Sequence, residues 1–437
     1  MTFAARCSAG LLLLCLAFSA RADGDRPLTL AEALKAADAP HPDLQMAEAD
    51  RDAALADLDL AAARQDLNVN LEAGLRRVKP SLPPDGYSHL SDNSVRLTLR
   101  KSLYDFGRSA SLEAAAKSEA DSRSADLIGA RDRRRLDIMA RFFDVLLADL
   151  QAAADNEYMA VAYVDFDNGR DRAAVGKLSS VDLAALENRY QEMKVKRDAS
   201  QQRQRVARAL LAIAMNRPGE LAPDLEDPAL EGNDRPLPEY ETLIPLLLAN
   251  SPRLKAAEAQ LEASRQRLEA VRSERNPTLE AEVEAADYAQ RKLSGRDEWR
   301  AGLVLNWPLY QGGRVDARQA KERALFQQAQ ARVEKLKMEL TQALLENWLE
   351  IEQLRGTVRA ASKQHSAYRD LALERARGEY EVELKTNLGT SMAATMEAKA
   401  RERGTEYRLA LSLARMEALL GVPLEQATKA DEKGNNR

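Results

Sequence analysis

Two hydrophobic patterns alternate along the chain, and they predict two kinds of secondary structure. Four short segments alternate apolar and polar residues with a period of two, which is typical of β-strands with one apolar and one polar face. The predicted strands cover about 68–77, 94–103, 277–286 and 299–307. The acidic residues on the polar faces are Glu72, Glu280, Glu282 and Glu284. These four side chains are candidates for lining a water-filled lumen, and surface hairpins on a soluble domain are the other interpretation.

Most of the remaining chain has the periodicity of long helices. Helices are predicted over about 42–66, 107–168, 179–215, 252–275, 313–376 and 387–420. The two longest carry apolar seams in which residues recur every three or four positions, as in coiled coils. The seam residues are Leu136, Met139, Phe143, Leu146 and Leu150 in one helix and Leu340, Leu344, Ile351, Leu354 and Val358 in the other. A helix over 107–168 would be roughly 93 Å long, so we expect each long helix to pack against two shorter helices stacked end to end.

The chain repeats itself once. The segment 103–108 matches 309–314 at a shift of 206 residues, and 174–178 matches 380–384 at the same shift. Between the two halves lies a stretch with five prolines between positions 218 and 238, where neither a helix nor a central strand can persist. We therefore predict a first repeat at 23–215, a linker at 216–238, a second repeat at 239–425 and a polar C-terminal tail at 426–437.

The first 22 residues have the pattern of an export signal peptide. Arg6 precedes a short apolar core at 11–18, and Ala20-Arg21-Ala22 forms an A-x-A cleavage site. Both cysteines, Cys7 and Cys15, lie inside this signal, so no disulfide is expected in the mature chain. The rest of the sequence contains no apolar run of about 18 residues, and no transmembrane helix is predicted.

Composition narrows the range of functions. Lys plus Arg total 64 and Asp plus Glu total 69, for a net charge of −5, and without a long basic block nucleic acid is not an expected partner. The arginines at 131 and 133–135 are interpreted as a solvated helix face. The histidines, His41, His89 and His365, lie far apart, and no catalytic or metal-ligand spacing is found. We therefore expect no enzyme activity, no metal and no cofactor.

The matching segments Leu103-Tyr104-Asp105-Phe106-Gly107-Arg108 and Trp307-Pro308-Leu309-Tyr310-Gln311-Gly312-Gly313-Arg314 are predicted strand-to-helix turns. In each, a strand is followed by a tyrosine, a glycine permits a sharp change of backbone direction, and an arginine begins the helix. The candidate turn residues are Tyr104, Gly107, Arg108, Tyr310, Gly313 and Arg314. Because the helix dipole disfavours a cation in the first turn, the two arginines are expected to point to lipid headgroups or to a carboxylate.

These segments, in register with a tandem repeat over essentially the whole mature chain, resemble the TolC-type outer-membrane factors of Gram-negative bacteria. The resemblance implies a mainly α-helical fold with a membrane β-barrel portion, in which each half gives two barrel strands and a long coiled-coil helical hairpin. It implies a homotrimer that forms a 12-stranded barrel in outer-membrane lipid and an α-helical tunnel in the periplasm. The implied function is the exit duct of a tripartite efflux pump or a type I secretion system, with a periplasmic adaptor protein and an inner-membrane pump of RND, ABC or MFS type as partners.

The same resemblance assigns functions to the turns of the helical hairpins, at the far end of the pillar that the stacked long and short helices form. The first turn is implied to contact the adaptor, through Arg172, Gly176, Lys177, Leu178 and Ser179. The gate is implied to include Asp182 of the first turn with Tyr380 and Lys385 of the second. Glu383, Gly389 and Met392 depart from the family pattern, so an acidic ring at the aperture is not implied.

Two further expectations follow from the resemblance. In a trimer, the strand glutamates would favour cations, although Arg96, Arg100 and Arg300 would offset much of that field, and simple wetting of the pore is the other interpretation. The alternative function is a soluble periplasmic coiled-coil scaffold or adaptor, which would not need four alternating strands that end in aromatic residues.

Overall fold

The computed structural model describes residues 26–79, 90–289, 297–382 and 388–426. The helices of these residues are α1 (Leu30–Lys35), α2 (Pro42–Ala62), α3 (Arg108–Ala174), α4 (Ser180–Ala214), α5 (Tyr240–Asn250), α6 (Pro252–Arg272), α7 (Arg314–Gln353), α8 (Arg359–Glu381) and α9 (Leu388–Leu420). The strands are β1 (Asn68–Gly74), β2 (Arg77–Val78), β3 (Leu90–Ser91), β4 (Ser94–Tyr104), β5 (Thr278–Tyr288) and β6 (Trp299–Asn306). The mainly helical fold with a tandem repeat is confirmed. The predicted signal at 1–22 and nearly all of the tail at 426–437 lie outside the described residues.

Helix α3 is 67 residues long and runs six residues beyond the predicted end at 168. Gly169 does not end it, because this glycine serves packing: a Cβ atom there would stand 2.4 Å from Leu186 Cδ1 of α4. The helix ends instead at Gly176, which has a φ of +70°. There the Lys177 N–H donates to the Arg172 carbonyl and the Gly176 N–H to the Ala173 carbonyl, the hydrogen-bond pattern of a Schellman C-cap.

The helix predicted over 313–376 differs in two ways. One turn of π-helix, Leu354–Val358, separates α7 from α8, and α8 continues to Glu381. Arg355 lies within the π turn and Arg359 directly follows it, and both bind the inter-repeat linker. The shorter predicted helices at 42–66 and 252–275 end in one turn of 3₁₀-helix, Ala63–Gln65 and Ser273–Arg275, just before β1 and β5.

The long helix α3 is the centre of the helical body. Its N-terminal half packs between α2 and α6, and its C-terminal half packs between α4 and α9. Helix α7 packs on α6, and α8 packs on α9. Each long helix therefore contacts shorter helices along its length, as the stacked arrangement predicts. None of the helices within the described residues is both long and apolar enough to cross a membrane.

Two hydrophobic clusters hold the middle of this body. The second-repeat cluster includes four of the five predicted seam residues, Leu340, Leu344, Ile351 and Leu354, as buried members, with Val358 packed against them. Asn347 interrupts this seam and is satisfied, because its amide donates to the Ser412 carbonyl at 2.8 Å. The first-repeat cluster is centred on Ile138, Phe142 and Val145. The predicted seam of α3 is therefore shifted, since it named Leu136 and Met139, which are only partly buried.

The strands β1, β4, β5 and β6 form one antiparallel sheet in the order β1-β4-β5-β6. The central pair β4–β5 joins the two repeats, and β1 and β6 are the edges. The register places Leu71 beside Leu97, Leu97 beside Ala285, and Ala285 beside Trp299. Strands β2 and β3 pair with each other in a separate two-stranded sheet, so the predicted strand at 68–77 is divided between β1 and β2.

Candidate functional site

One face of the four-stranded sheet carries the charged residues, including all four predicted glutamates. Cross-strand partners share a face, and the pairs Glu72–Arg96, Arg100–Glu282 and Glu284–Arg300 are such partners. The alternation along β5 adds Glu280. The structure therefore brings these acidic side chains together on one surface with three arginines, as the register of a single sheet requires.

The charges on this surface, which we call the charged face, form a chain of ion pairs. Arg100 Nε lies 3.0 Å from Glu282, and Arg300 Nη2 lies 3.3 Å from Glu282 and 2.8 Å from Glu284. Arg96 continues the chain, 3.5 Å from Glu284 and 3.8 Å from Glu72. The positive and negative charges thus alternate across the strands, and the field of the glutamates is largely compensated. Within the described residues, Glu280 takes no part in an ion pair.

The opposite face of the sheet, which we call the apolar face, is exposed. Its large side chains are Val69, Leu71, Leu97, Val283, Trp299, Leu303 and Leu305. Trp299 is 71% exposed and Leu303 is 67% exposed in the single chain. A continuous exposed apolar surface of this kind indicates contact with lipid or with another protein surface.

The two strand-to-helix turns have the same backbone conformation. Gly107 and Gly313 are the N-cap residues of α3 and α7, with φ values of +83° and +75°. Each is preceded by a second left-handed residue, Phe106 at +55° and Gly312 at +60°. Two left-handed residues in succession turn the chain from strand to helix, and this conformation favours glycine because a Cβ atom would come too close to the following backbone carbonyl oxygen. Phe106 adopts it without that freedom and stacks edge-on against Tyr104 at 4.7 Å.

The arginine of the first strand-to-helix turn, Arg108, points to a carboxylate. Arg108 Nη2 lies 3.0 Å from Glu274, in the 3₁₀ turn before β5, and Arg318 of α7 lies 3.1 Å from the same carboxylate. Glu274 therefore joins the start of α3 to the start of α7. Arg275 also binds Asp316 of α7, so neighbouring residues of this 3₁₀ turn hold α7 through opposite charges.

The first tip of the pillar is the turn between α3 and α4, and it holds the five predicted adaptor-contact residues. Arg172 and Gly176 form the Schellman cap of α3, with Lys177 and Leu178 following it. Ser179 is the N-cap of α4: its Oγ accepts from the Asp182 N–H at 3.1 Å and donates to the Asp182 carboxylate at 2.7 Å. Asp182 thus has a local structural role in the first turn of α4, where the helix dipole favours an acid.

The second tip lies between α8 and α9. Tyr380 is 55% exposed near the end of α8, whereas Lys385 and Glu383 lie outside the described residues. Gly389 packs against α3, because a Cβ atom there would stand 2.4 Å from Val161 Cγ2. Within the described chain, no hydrogen bond or ion pair joins Asp182 to Tyr380.

Sequence reasoning missed a polar network that fastens the inter-repeat linker. Asn233 of the linker is 1% exposed, and its amide donates to Glu406 Oε2 of α9 at 2.8 Å. Arg359 lies 2.6 Å from the same Glu406 and 2.5 Å from Asp234. The sequence signal is an acidic linker after an arginine-rich helix; its acidic residues are Glu220, Asp224, Glu226, Asp227, Glu231 and Asp234.

Charge pairing in this network lowers the pKa of both acids. A hydrogen bond from Arg359 holds the pKa of Asp234 below its ordinary value. Burial would raise the pKa of Glu406, but hydrogen bonds from Asn233 and Arg359 outweigh burial and leave that pKa lowered. Both carboxylates are therefore ionised at neutral pH and keep the network charged.

The described residues contain no group of three or more His, Cys, Asp or Glu side chains placed to hold a metal ion. The ion pairs of the charged face are formed between neighbouring strands, and those of the strand-to-helix turns join the 3₁₀ turn Ser273–Arg275 to α3 and α7.

Comparison with known proteins agrees with this geometry. The family model for outer membrane efflux protein matches residues 33–214 and 243–422, once for each repeat. Among solved structures, the outer membrane protein VceC of Vibrio cholerae is 18% identical with a TM-score of 0.70, over 90% of this chain and 96% of that one. The CmeC outer membrane channel of Campylobacter jejuni is 15% identical with a TM-score of 0.73, over 92% and 89%. The MtrE outer membrane channel of Neisseria gonorrhoeae, in its open state, is 16% identical with a TM-score of 0.70, over 90% and 89%. No curated protein matches the chain significantly.

Proposed function

The chain belongs to the outer membrane efflux protein family, and from this premise we propose that it is the outer-membrane exit duct of a tripartite efflux pump or a type I secretion system. The observation that carries the proposal is the four-stranded sheet, which has an exposed apolar face, a charged face and direct connections into the long helices. A sheet that is apolar outside and charged inside suits lipid on one side and a watery passage on the other.

Three copies would complete the duct. Within the described residues, strands β1 and β6 each pair on one side only, and an unpaired strand edge is not tolerated in lipid. Four strands are also fewer than the roughly eight that a closed barrel needs. Three chains joined edge to edge would give 12 strands, and their helices would continue the passage as a periplasmic tunnel. We propose this homotrimer as the working form.

The proposed duct is passive and needs partners that supply energy. The first tip, at Arg172–Ser179, would contact a periplasmic adaptor protein that connects the duct to an inner-membrane pump. A soluble periplasmic scaffold is the second candidate, but such a protein would leave Trp299, Leu303 and the other large side chains of the apolar face in water.

A pair of arginine substitutions on opposite faces of the sheet tests the membrane role. Leu303→Arg places a charge on the apolar face, which costs about 2–4 kcal/mol near the middle of a bilayer. Asn70→Arg places the same charge on the charged face, where Asn70 lies beside Thr98. We expect the first variant to be absent from the outer-membrane fraction and the second to be present there and to conduct in planar bilayers. A parent protein that osmotic shock releases without detergent would contradict the proposal.

We also propose a gate at the tips, in which Asp182, Tyr380 and Lys385 of neighbouring copies hold the passage narrow at rest. Each exposed pair contributes only about 0–1 kcal/mol and weakens with salt, but threefold symmetry multiplies the effect. Asp182→Ala combined with Tyr380→Phe should therefore raise the resting conductance and sensitise cells to large antibiotics, with trimers intact.

Ser179→Ala is the matched control for this gate. It removes the side-chain cap on the Asp182 N–H and the hydrogen bond that Ser179 Oγ donates to the Asp182 carboxylate, but it keeps the carboxylate itself, so we expect the resting conductance of the parent. If the double variant conducts like the parent at both low and high salt, the gate lies elsewhere. If Ser179→Ala alone raises conductance as much, loss of the helix cap explains the effect.

A further inference from the structure

The two repeats enter the sheet in the same way, residue for residue. Helices α2 and α6 align without a gap at a shift of 210 residues. In both repeats a 3₁₀ turn follows the helix directly, and a strand begins three residues after that turn. Helices α3 and α7 begin at Arg108 and Arg314, a shift of 206 residues. Each position at this end of the sheet can therefore be compared with its equivalent in the other repeat.

An ion pair lies at the boundary where the two repeats join within one chain. There β4 pairs with β5. Arg108, at the start of α3, lies 3.0 Å from Glu274, in the 3₁₀ turn before β5. The Glu274 side chain is only 13% exposed and also binds Arg318 of α7. One carboxylate thus neutralises two arginines at this boundary.

In the proposed trimer the same kind of boundary recurs between copies, with β6 of one copy beside β1 of the next. At this boundary Arg314 takes the place of Arg108, and position 64 of the next copy takes the place of Glu274. Position 64 is an arginine. The contact that is an ion pair inside the chain therefore becomes a pair of like charges between copies, which repel each other unless an anion lies between them.

The cations of this boundary are not neutralised by their own chain. Arg64 and Arg314 are exposed, and neither forms an ion pair within the described residues. Lys101 is a third exposed cation without an ion pair in that part of the chain. It lies on β4, next to β1, and its cross-strand row continues through Ala281 to Leu303 on the apolar face. The boundary is therefore basic on the side of the sheet that is proposed to face lipid.

The depth of these cations corresponds to the edge of the apolar band. Lys101 is the equivalent of Trp307 at the shift of 206 residues. Tyr310, four residues before Arg314, is 89% exposed. Aromatic residues and the ends of long basic side chains lie at the level of lipid headgroups. Phospholipid phosphates lie at that level too, and guanidinium groups bind phosphate oxygens through paired hydrogen bonds.

We propose that an anionic phospholipid of the periplasmic leaflet binds between neighbouring copies, with its phosphate bridging Arg314 of one copy and Arg64 of the next. Lys101 adds positive charge on the lipid side, and the acyl chains lie along the apolar face. The lipid supplies between copies the negative charge that Glu274 supplies inside the chain. The inference rests on the proposed trimer and adds to it a ligand that the trimer needs for a stable boundary.

Native mass spectrometry of the full-length trimer in detergent measures this lipid directly. The probes are phosphatidylglycerol and phosphatidylcholine with identical acyl chains. We expect the trimer to retain phosphatidylglycerol in preference, because the phosphate of phosphatidylcholine is already paired with its own cation. Arg64→Gln and Arg314→Gln should each weaken phosphatidylglycerol binding about fivefold, the effect of one basic residue near an anionic lipid surface. Excess inorganic phosphate should not displace the lipid, since it has no acyl chains to bind the apolar face.

Arg64→Glu tests the equivalence of the two boundaries. It restores between copies the arginine–glutamate pair that Arg108 and Glu274 form inside the chain. The parent trimer should dissociate at a higher temperature when phosphatidylglycerol is added. The Arg64→Glu trimer should reach that temperature without lipid and gain nothing from phosphatidylglycerol.

Arg51→Gln is the matched control. It removes the same charge from α2, about 20 Å along the helix from Arg64, where Arg51 pairs with Asp52. This variant should bind phosphatidylglycerol like the parent.

The inference is overturned if the parent binds both lipids equally, if Arg64→Gln and Arg314→Gln bind phosphatidylglycerol like the parent, or if inorganic phosphate displaces the lipid. It is also overturned if phosphatidylglycerol has no effect and Asp66→Asn destabilises the trimer, since Asp66 of the next copy would then neutralise Arg314. A conducting trimer without lipid preference would refute this site and leave the duct standing, whereas a chain that never forms trimers would refute both.

Discussion

The glycines of the two strand-to-helix turns illustrate how single residues fix the architecture. Gly107 and Gly313 adopt φ values of +83° and +75° in open space, where an added Cβ atom meets nothing within 4 Å. Substitution by alanine should therefore cost only backbone strain, about 1–2 kcal/mol for a left-handed residue. We expect Gly107→Ala and Gly313→Ala to lower the thermal midpoint of the folded protein, measured by circular dichroism.

Gly129→Ala provides the control for these two variants. Gly129 lies inside α3 with ordinary helical φ, and the nearest atom to an added Cβ is a flexible Arg133 nitrogen at 3.5 Å. Alanine there should stabilise by about 0.5–1 kcal/mol, since it favours the helix more than glycine does. Stability changes of opposite sign in these two classes of glycine would confirm that backbone conformation, not space, decides the outcome. A loss of stability at Gly129 would contradict it.

At this scale the sequence reveals the type of residue but not its surroundings. The arginine run at 131–135 is predicted as a solvated face, yet Arg134 is buried and donates to the carbonyls of Ala36 and Ala37 at 2.8 and 3.1 Å, where α1 ends. Burial lowers the pKa of Arg134. In the same way, the glycine at position 169 suggests the end of a helix, but Gly169 lies inside α3 and allows Leu186 of α4 to pack closely against it. Both errors arise because the partner lies far away in sequence.

In the sheet, the ion pairs of the charged face revise the cation preference that the number of glutamates predicts. Because Glu282 and Glu284 pair with Arg100 and Arg300, we expect only a weak cation preference in the parent channel. Glu282→Gln combined with Glu284→Gln would leave arginines without partners and should shift the reversal potential in a salt gradient toward anions. Arg300→Gln should shift it toward cations. Unchanged potentials in both variants would mean that the charged face does not line the conducting path.

The strands and the pillar could be predicted because their patterns are local. The period of two predicts a strand at 94–103, and β4 covers 94–104 in the structure, because the alternation of apolar and polar residues indicates both the faces and the length of a strand. The attachment of the linker could not be predicted, because it depends on the contacts of Arg359 with Asp234 of the linker and Glu406 of α9, which lie far apart in the sequence. The shifted seam of α3 has a similar cause: the helix has partners on several sides, so more than one apolar stripe is available to be buried.

The whole molecule has surfaces that a single chain leaves unsatisfied. The edge strands β1 and β6 each have one paired side, and the apolar face of the sheet is exposed along its length.

Since four strands fall short of the roughly eight that close a barrel, we expect the protein to be a trimer with no stable folded monomer. Density-matched sedimentation equilibrium in detergent, over a wide dilution series, should give a single species of three chains. Gel mobility should show this trimer resisting SDS at room temperature and dissociating only on heating, because the edges between copies are held by backbone hydrogen bonds shielded from water. A monodisperse, folded monomer at any dilution would contradict the edge-to-edge arrangement.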